Sequence, residues 1–226
     1  AMSGMRMEST RVAFLETLTE LMEADPKVVV VFADSVKVFR ATAEFLQRFK
    51  GQVFDVGIAE QNMVATAAGL ATCNLTVFVA TYAGFITMRA CEQVRTFVAY
   101  PGLNVKFIGA NAGIFGGERE GVTHQFFEDL AIVRSIPGVT VVVPADAAAV
   151  RQATRVIAKV TGPAYLRIGS GRDPVVVDPP RLFELGKIRR LDDHGRDFVI
   201  FANGYLLQRS LEAAALLRSQ GLCGRV

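Results

Sequence analysis

The sequence lacks several features that would assign it to a common class of protein. Its longest apolar runs, such as KVVVVFA and VTVVVPA, are far too short to cross a bilayer, and no leader-like segment opens the chain. Its three cysteines (Cys73, Cys91 and Cys223) show no metal-ligand spacing, and an odd number fits a reducing compartment. The net charge of +3 is spread without a basic block. We therefore expect a cytoplasmic protein that binds neither membranes nor nucleic acid.

Short apolar runs recur along the chain and alternate with longer segments of helical period. Apolar residues make up 51% of the 226 positions, which is enough for one sizeable core and the start of a second. The strand candidates are KVVVVFAD, VFDVG, LTVFVAT, NVKFIGA, VTVVVPAD and PAYLRIG. They are apolar at nearly every position, which is typical of strands covered on both faces of a parallel sheet. We therefore predict a doubly wound, mostly parallel α/β sheet with helices on both faces.

Capping and turn residues predict where two of the helices begin and end. Ser9 or Thr10 can cap a first helix that runs to about Met22. Asp146 can cap the helix AAAVRQATRVIAKV, and the Gly-Pro pair that follows ends this helix before the next strand.

The pattern changes near residue 170. The segment GSGRDPVVVDPPRLF has the composition of an interdomain linker. After it, DFVIFANGYLLQRSLEAAALLRSQ predicts a strand, a glycine turn and an amphipathic helix. Because a lone strand and helix cannot bury both faces of a sheet, we expect only the start of a second α/β domain. The expected boundaries are 9–170 for the first domain, 171–183 for the linker and 184–226 for the partial second domain.

One acid, Glu60, lies between a predicted buried strand and a predicted buried helix, in FDVGIAEQNMVATAAGL. Ligands of doubly wound sheets bind outside the carboxyl ends of the strands, which is where this loop is expected. The helix that follows is almost free of charge, so the carboxylate should be partly desolvated and should need a hydrogen-bond donor. From these residues alone, Glu60 can equally be an ordinary acid of a first helical turn.

Several longer motifs resemble one known family. DVGIAEQNMVATAAGLA is similar to the signature of the pyrimidine-binding domain of transketolases and their relatives. The similarity continues through TYAGFITMRACEQVR, GEREGVTHQFFEDLAIVRSIPGVTVVVPAD and GPAYLRI, and covers roughly residues 11–173. The tail resembles the start of the family's third domain. The organisation resembles the second (B) subunit of split transketolases, whose first (A) subunit carries the diphosphate-binding domain.

The resemblance implies a thiamine diphosphate site. It implies that Glu60 hydrogen-bonds to N1′ of the aminopyrimidine ring and activates the cofactor. It places Tyr82 and Phe85 against the faces of this ring and Met88 where transketolases often have a third aromatic residue. Asp34 resembles an acid that lies near the cofactor across the subunit interface. Without the resemblance, the aromatic pair would be interpreted as ordinary core packing and Asp34 as a turn residue.

The resemblance also implies substrate-binding residues, with some departures from the family. His124, in THQ, matches a residue that contacts the oxygens of the donor sugar. Glu120 replaces the usual aspartate that hydrogen-bonds to a sugar hydroxyl. Its extra methylene moves the carboxylate and so alters which hydroxyl geometry the site accepts. The phosphate-binding arginine of the family falls at Ser170, so either Arg172 or Arg167 takes over this role, or the acceptor is not an ordinary sugar phosphate.

A metal-binding motif of the type GDG followed by Asn is absent from the sequence. The resemblance therefore implies that the diphosphate, with Mg²⁺ or Ca²⁺, is held by a partner A subunit, and that this chain is inactive alone. We expect a homodimer or an A2B2 heterotetramer.

The function expected from these motifs is transfer of a two-carbon ketol unit from a ketose, or its phosphate, to an aldose or its phosphate. Two alternatives remain open from the sequence. One is the β subunit of a 2-oxoacid dehydrogenase or a related thiamine enzyme, and the other is a noncatalytic partner with the same fold.

Overall fold

The computed structural model describes residues 6–114, 120–169, 171, 173–176 and 183–226. Within these residues, the main sheet has six parallel strands in the order β3-β2-β4-β5-β7-β6, and a two-stranded antiparallel pair joins β1 to β8. The strands are β1 (Met7–Glu8), β2 (Val28–Phe32), β3 (Val53–Asp55), β4 (Thr76–Tyr82), β5 (Val105–Ala110), β6 (Thr140–Val142), β7 (Ala164–Arg167) and β8 (Asp173–Pro174). All six predicted strands of the first domain are confirmed.

Helices connect the strands of the sheet. They are α1 (Thr10–Ala24), α2 (Ala43–Arg48), α3 (Glu60–Thr72), α4 (Cys91–Gln93), α5 (Asp129–Arg134), α6 (Ala147–Lys159) and α7 (Leu206–Ser219). Two π-helical segments, Phe85–Arg89 and Val94–Ala99, lie on either side of α4, and Val122–His124 forms a 3-10 turn. None of the helices that the structure describes has both the length and the apolarity needed to cross a membrane.

Apolar side chains cover both faces of the main sheet. All five residues of β2 are buried, which explains why this strand is apolar at every position. On one face the core includes Phe14 of α1 and Val150 of α6, and on the other it includes Met63 of α3 and Val98 of the second π-helical segment. The predicted doubly wound α/β fold is therefore confirmed.

Side-chain caps fix the starts of α1 and α6. Ser9 is the cap of α1, since its Oγ accepts a 3.3 Å hydrogen bond from the backbone N–H of Val12. Thr10 instead donates its hydroxyl to Asp173 at 2.6 Å, which ties the start of α1 to β8. Asp146 caps α6 as predicted, accepting from the N–H of Ala149 at 2.9 Å.

The strand predicted in DFVIF is wrong. Within residues 183–226, this segment makes one isolated bridge, between Val199 and Arg225. A strand needs ladder pairing that continues along its length, and the hydrogen bonds between this segment and Cys223 and Arg225 do not extend beyond that one bridge as a ladder. The predicted helix does form, as α7, and packs through Leu207 and Ala214 in a third apolar cluster.

Candidate functional site

Glu60 lies at the carboxyl edge of the sheet, where the loop after β3 enters α3. Gly57 in this loop has a positive φ of 72°, and its N–H donates to Oδ1 of Asp55 at 3.0 Å. The same oxygen accepts from the N–H of Asp34 at 2.9 Å, so the loops after β2 and β3 are tied together. Glu60 is the first residue of α3 and is 3% exposed. The desolvated acid expected from the sequence is therefore observed.

The hydrogen-bond donor to this carboxylate is Arg89, which the sequence analysis did not identify. Nη1 of Arg89 lies 2.9 Å from Oε1 and 3.0 Å from Oε2 of Glu60. The guanidinium carbon also lies 4.0 Å from the centroid of the Phe85 ring, in a cation–π contact. Arg89 is the single charged residue in TYAGFITMR, and this isolation is a sequence signal that could have identified it.

Four rings meet beside the end of β4. Tyr82 and Phe85 lie 5.4 Å apart between centroids, and His124 lies 4.8 Å from Tyr82 and 5.3 Å from Phe85, all edge-to-face. Phe126, which was not predicted, lies 5.3 Å from Phe85. We call Tyr82, Phe85, His124 and Phe126 the aromatic cluster. The structure thus brings together three of the predicted site residues, on β4, a π-helical segment and a 3-10 turn.

Charged side chains surround Tyr82. Burial raises the pKa of the Tyr82 hydroxyl, Glu120 raises it further and Arg11 acts in the opposite direction, so both charges lie near this phenol. Burial also lowers the pKa of Arg11, as does the nearby Arg40, whereas Tyr82, Asp173 and Glu120 raise it. Nε of Arg11 is buried and has no hydrogen-bond partner among the described residues. Arg11 is a second residue that the sequence analysis missed.

The remaining predicted site residues lie in different settings. Met88 is 52% exposed on the π-helical segment that carries Phe85. Asp34 is exposed at the end of β2 and has a positive φ of 51°. Arg172 lies outside the described residues.

Arg167 donates to the fully buried Asp129 through Nε at 2.8 Å and through Nη2 at 3.1 Å. Because its guanidinium is engaged in this ion pair, the proposed phosphate role of Arg167 is unsupported.

The doubly wound sheet and the buried acid at its carboxyl edge define a ligand-binding α/β domain. The sequence model described as "Transketolase, pyrimidine binding domain" matches residues 6–171. The chain belongs to this family.

Similar proteins include C-terminal or B-type chains of transketolases. The chain is 38% identical over 219 residues to a "Putative transketolase C-terminal section" of Methanocaldococcus jannaschii, which covers 96% of this chain and 68% of the relative. It is 38% identical over 217 residues to a "6-deoxy-6-sulfo-D-fructose transketolase subunit SqwH" of Clostridium sp., covering 96% and 66%. The chain therefore spans about two thirds of the length of these relatives.

A solved structure described as "Split gene transketolase, inactive beta4 tetramer" is 40% identical and superposes with a TM-score of 0.85, over 97% of this chain and 70% of that one. The family resemblance and the α/β fold that were expected from the sequence are confirmed by these similarities.

Proposed function

We propose that this chain is the B subunit of a two-chain transketolase that depends on thiamine diphosphate. Together with an A subunit, it would transfer a two-carbon ketol unit from a ketose or its phosphate to an aldose or its phosphate. The observation that carries this proposal is the buried carboxylate of Glu60 at the carboxyl edge of the sheet, near the aromatic cluster. The names of the similar proteins support the same class of reaction.

The residues at this edge fit the aminopyrimidine half of the cofactor. A flat nitrogen heterocycle needs an aromatic surface and a polar group that can exchange a proton with its ring nitrogen. Tyr82 and Phe85 offer the first, and the desolvated Glu60 offers the second. When bound, thiamine diphosphate supplies the carbon nucleophile of ketol transfer. Glu60 holds the proton at the ring nitrogen, and the aromatic side chains orient the ring and exclude water.

The diphosphate and its Mg²⁺ or Ca²⁺ would bind to the A subunit. Among the residues that the structure describes, no three His, Cys, Asp or Glu side chains are grouped as metal ligands. The sequence lacks the GDG-type metal-binding motif, which supports placing the diphosphate and its metal on a second polypeptide.

We assign the sugar to the residues around Tyr82. His124 would donate to, or accept from, the oxygens of the donor sugar, and Glu120 would accept from one of its hydroxyls. Arg11, whose Nε lacks a protein partner among the described residues, has the charge and the free donor that a phosphate group requires, and Arg40 adds a second positive charge. Asp34 and Met88 are assigned to the rim of the cofactor site. Arg172 stays a candidate on sequence grounds alone.

Exposed apolar side chains on the loops of the carboxyl edge support a partner subunit. Ile58, Ile114 and Val122 are 74%, 61% and 80% exposed. Exposed apolar side chains on the loops at one edge of a sheet fit a surface that another chain covers. We propose that this edge contacts the A subunit and a second B chain, in a homodimer or an A2B2 assembly.

We also propose that residues 9–170 form the pyrimidine-binding domain, 171–183 the linker and 184–226 part of a C-terminal domain. The apolar cluster around Leu207, Ala214 and Val226 supports this division, because it is formed mainly by residues after 183, with Ala145 and Val176 at its margin. The two large clusters lie within the first segment apart from Phe183 at the margin of one.

Reconstitution with an A subunit tests the function. Ketol transfer from a ketose phosphate to an aldose phosphate is expected from the pair and from neither chain alone. Oxidative decarboxylation of a 2-oxoacid by the pair, without ketol transfer, would indicate a 2-oxoacid dehydrogenase type of subunit. A pair that binds thiamine diphosphate but turns over neither substrate would indicate a noncatalytic partner.

A further inference from the structure

The ion pair between Glu60 and Arg89 joins a buried side chain to a half-exposed one. The Glu60 side chain is 2% exposed, whereas the Arg89 side chain is 50% exposed. One guanidinium nitrogen contacts both carboxylate oxygens, at 2.9 and 3.0 Å. Among the described residues, no other side chain donates a hydrogen bond to this carboxylate. Arg89 therefore covers the acid that the proposed function assigns to the cofactor.

These two roles of Glu60 compete. The carboxylate is almost wholly shielded from solvent, and Arg89 is the half-exposed side chain that contacts both of its oxygens, so a second donor can reach these oxygens only if a covering group shifts. The carboxylate is buried, so it cannot turn towards water for another partner. Hence a ring nitrogen reaches Glu60 only when a covering group moves aside, and Arg89 is the contacting side chain that is exposed enough to do so.

Arg89 is able to move without exposing the core. Half of its side chain already faces solvent, and its other contact is with the face of Phe85 rather than with a buried acceptor. Its long stem has several rotamers, so a guanidinium that leaves Glu60 can be hydrated at once. Glu60 has no comparable freedom, because it begins α3 and its side chain is buried.

We propose that Arg89 is a positioning residue that covers Glu60 while the aminopyrimidine pocket is empty and withdraws when Glu60 takes the ring nitrogen. This inference rests on the proposed function. The ion pair stabilises the empty site, because a buried carboxylate without a partner is costly. The same stabilisation opposes cofactor binding, since a competent state that is only partly populated weakens the apparent affinity. Arg89 therefore tunes cofactor affinity.

If the ion pair had only a structural role, removal of Arg89 would affect cofactor binding differently. If Arg89 kept both contacts in the cofactor-bound state, its removal would destabilise the empty and the filled protein equally and leave the dissociation constant unchanged. If Arg89 also contacted the cofactor, its removal would weaken binding. Only a covering role predicts that removal of the guanidinium tightens binding.

The experiment compares Arg89→Met with Arg95→Met in the full chain reconstituted with its A subunit. Arg95 is an exposed arginine of the next π-helical segment and serves as the matched control. Titration calorimetry with thiamine diphosphate and Mg²⁺ should show binding that is tighter by roughly tenfold for Arg89→Met, and unchanged for Arg95→Met. The melting temperature of the empty Arg89→Met complex should fall, while that of the filled complex should stay near the wild-type value.

A second variant covers the case in which Arg89→Met does not fold. Arg89→Lys keeps a positive charge but loses the planar group over Phe85, so its dissociation constant should lie between those of the wild type and Arg89→Met. An unchanged or weaker affinity in these variants, beside a wild-type complex that binds the cofactor, would overturn this inference alone. A wild-type complex that binds no thiamine diphosphate would overturn the proposed function and this inference with it.

Discussion

The phenolic hydroxyl of Tyr165 donates a 2.8 Å hydrogen bond to Oδ2 of Asp129, a carboxylate from which solvent is fully excluded. Arg167 pairs with the same carboxylate at 2.8 Å. Burial and the Asp129 charge raise the pKa of Tyr165 well above its ordinary value, so the phenol stays a donor at neutral pH. This network ties α5 to β7 directly after the segment that carries His124 and Phe126.

Asp129→Asn should destabilise the protein by about 3–5 kcal/mol, because it leaves the largely buried guanidinium of Arg167 without a counter-charge. Urea unfolding measures this loss. Glu23→Gln is the control, since it removes an ion pair with Arg48 whose side chains are 42% and 59% exposed, and such pairs contribute little. Similar losses in the two variants would contradict a structural role for the buried network.

Glu60→Gln should reduce ketol transfer by the reconstituted pair by about two to four orders of magnitude, because an amide cannot exchange a proton with a ring nitrogen as a carboxylate does. The rate under cofactor saturation is the measurement. Glu92→Gln, which alters an exposed acid of α4, should turn over like the wild type. Normal turnover by Glu60→Gln at saturation would remove the assignment of Glu60 as cofactor activator.

Arg11→Gln should raise the KM for a sugar phosphate by about ten- to a hundredfold, because charge-assisted hydrogen bonds to the phosphate are lost. The KM for the corresponding unphosphorylated sugar should change little, and this comparison is the internal control. Steady-state kinetics with the matched pair of substrates provide both values. An equal rise for both sugars would place Arg11 in a structural role beside Tyr82.

Lys106 predicts a pH dependence of stability. Its ammonium group is fully buried on β5 and donates to the carbonyls of Val160 and Gly162 at 2.6 and 2.5 Å. Burial lowers its pKa from 10.5 to about 8. Between these two values the unfolded chain binds more protons than the folded chain, so the free energy of unfolding rises with pH across this window and is independent of this group below it.

The rise amounts to at most about 3 kcal/mol. It should appear as the difference between the wild type and Lys106→Met in urea unfolding from pH 7 to 10.5, since methionine has no titrating group. Parallel stability curves for the two proteins would show that the lysine keeps an ordinary pKa in the folded state.

The sequence was sufficient to predict the doubly wound sheet, because strands that are buried on both faces are apolar at every position, as in β2. It was also sufficient to place Glu60, Tyr82 and His124 at one edge, because Tyr82 ends a parallel strand and the other two lie in segments that follow one. Arg89 was missed because its partner lies 29 positions away, on another helix. The isolated charge in TYAGFITMR marks Arg89 as unusual, but it does not name Glu60 as its partner.

Arg167, left open as a phosphate ligand, and the strand wrongly predicted in DFVIF both depend on contacts with residues that are distant in the sequence. An arginine after a strand is suited to bind phosphate only if no acid engages it, and Asp129, 38 positions away, does so. The apolar run DFVIF has the composition of a strand, but a strand forms only where a neighbouring strand pairs with it. Within the described residues, DFVIF forms a single isolated bridge, between Val199 and Arg225.

Gly84→Ala tests the packing of the aromatic cluster. A Cβ at Gly84 would overlap the ring of Phe126, while the backbone φ of −69° is ordinary for any residue, so the effect is purely steric. Displacement of the ring should cost about 1–3 kcal/mol of stability and weaken thiamine diphosphate binding, since Phe126 packs 5.3 Å from Phe85. Calorimetric titration and urea unfolding measure the two effects.

The matched control is Gly69→Ala in α3, where an added Cβ meets open space. Alanine has the higher helix propensity, so this variant should be more stable than the wild type by about 0.5–1 kcal/mol and should bind the cofactor normally. If Gly84→Ala behaved in the same way, the Phe126 ring would have room to move, and the cluster could not be the rigid surface that the assignment of Tyr82 and Phe85 to the cofactor requires.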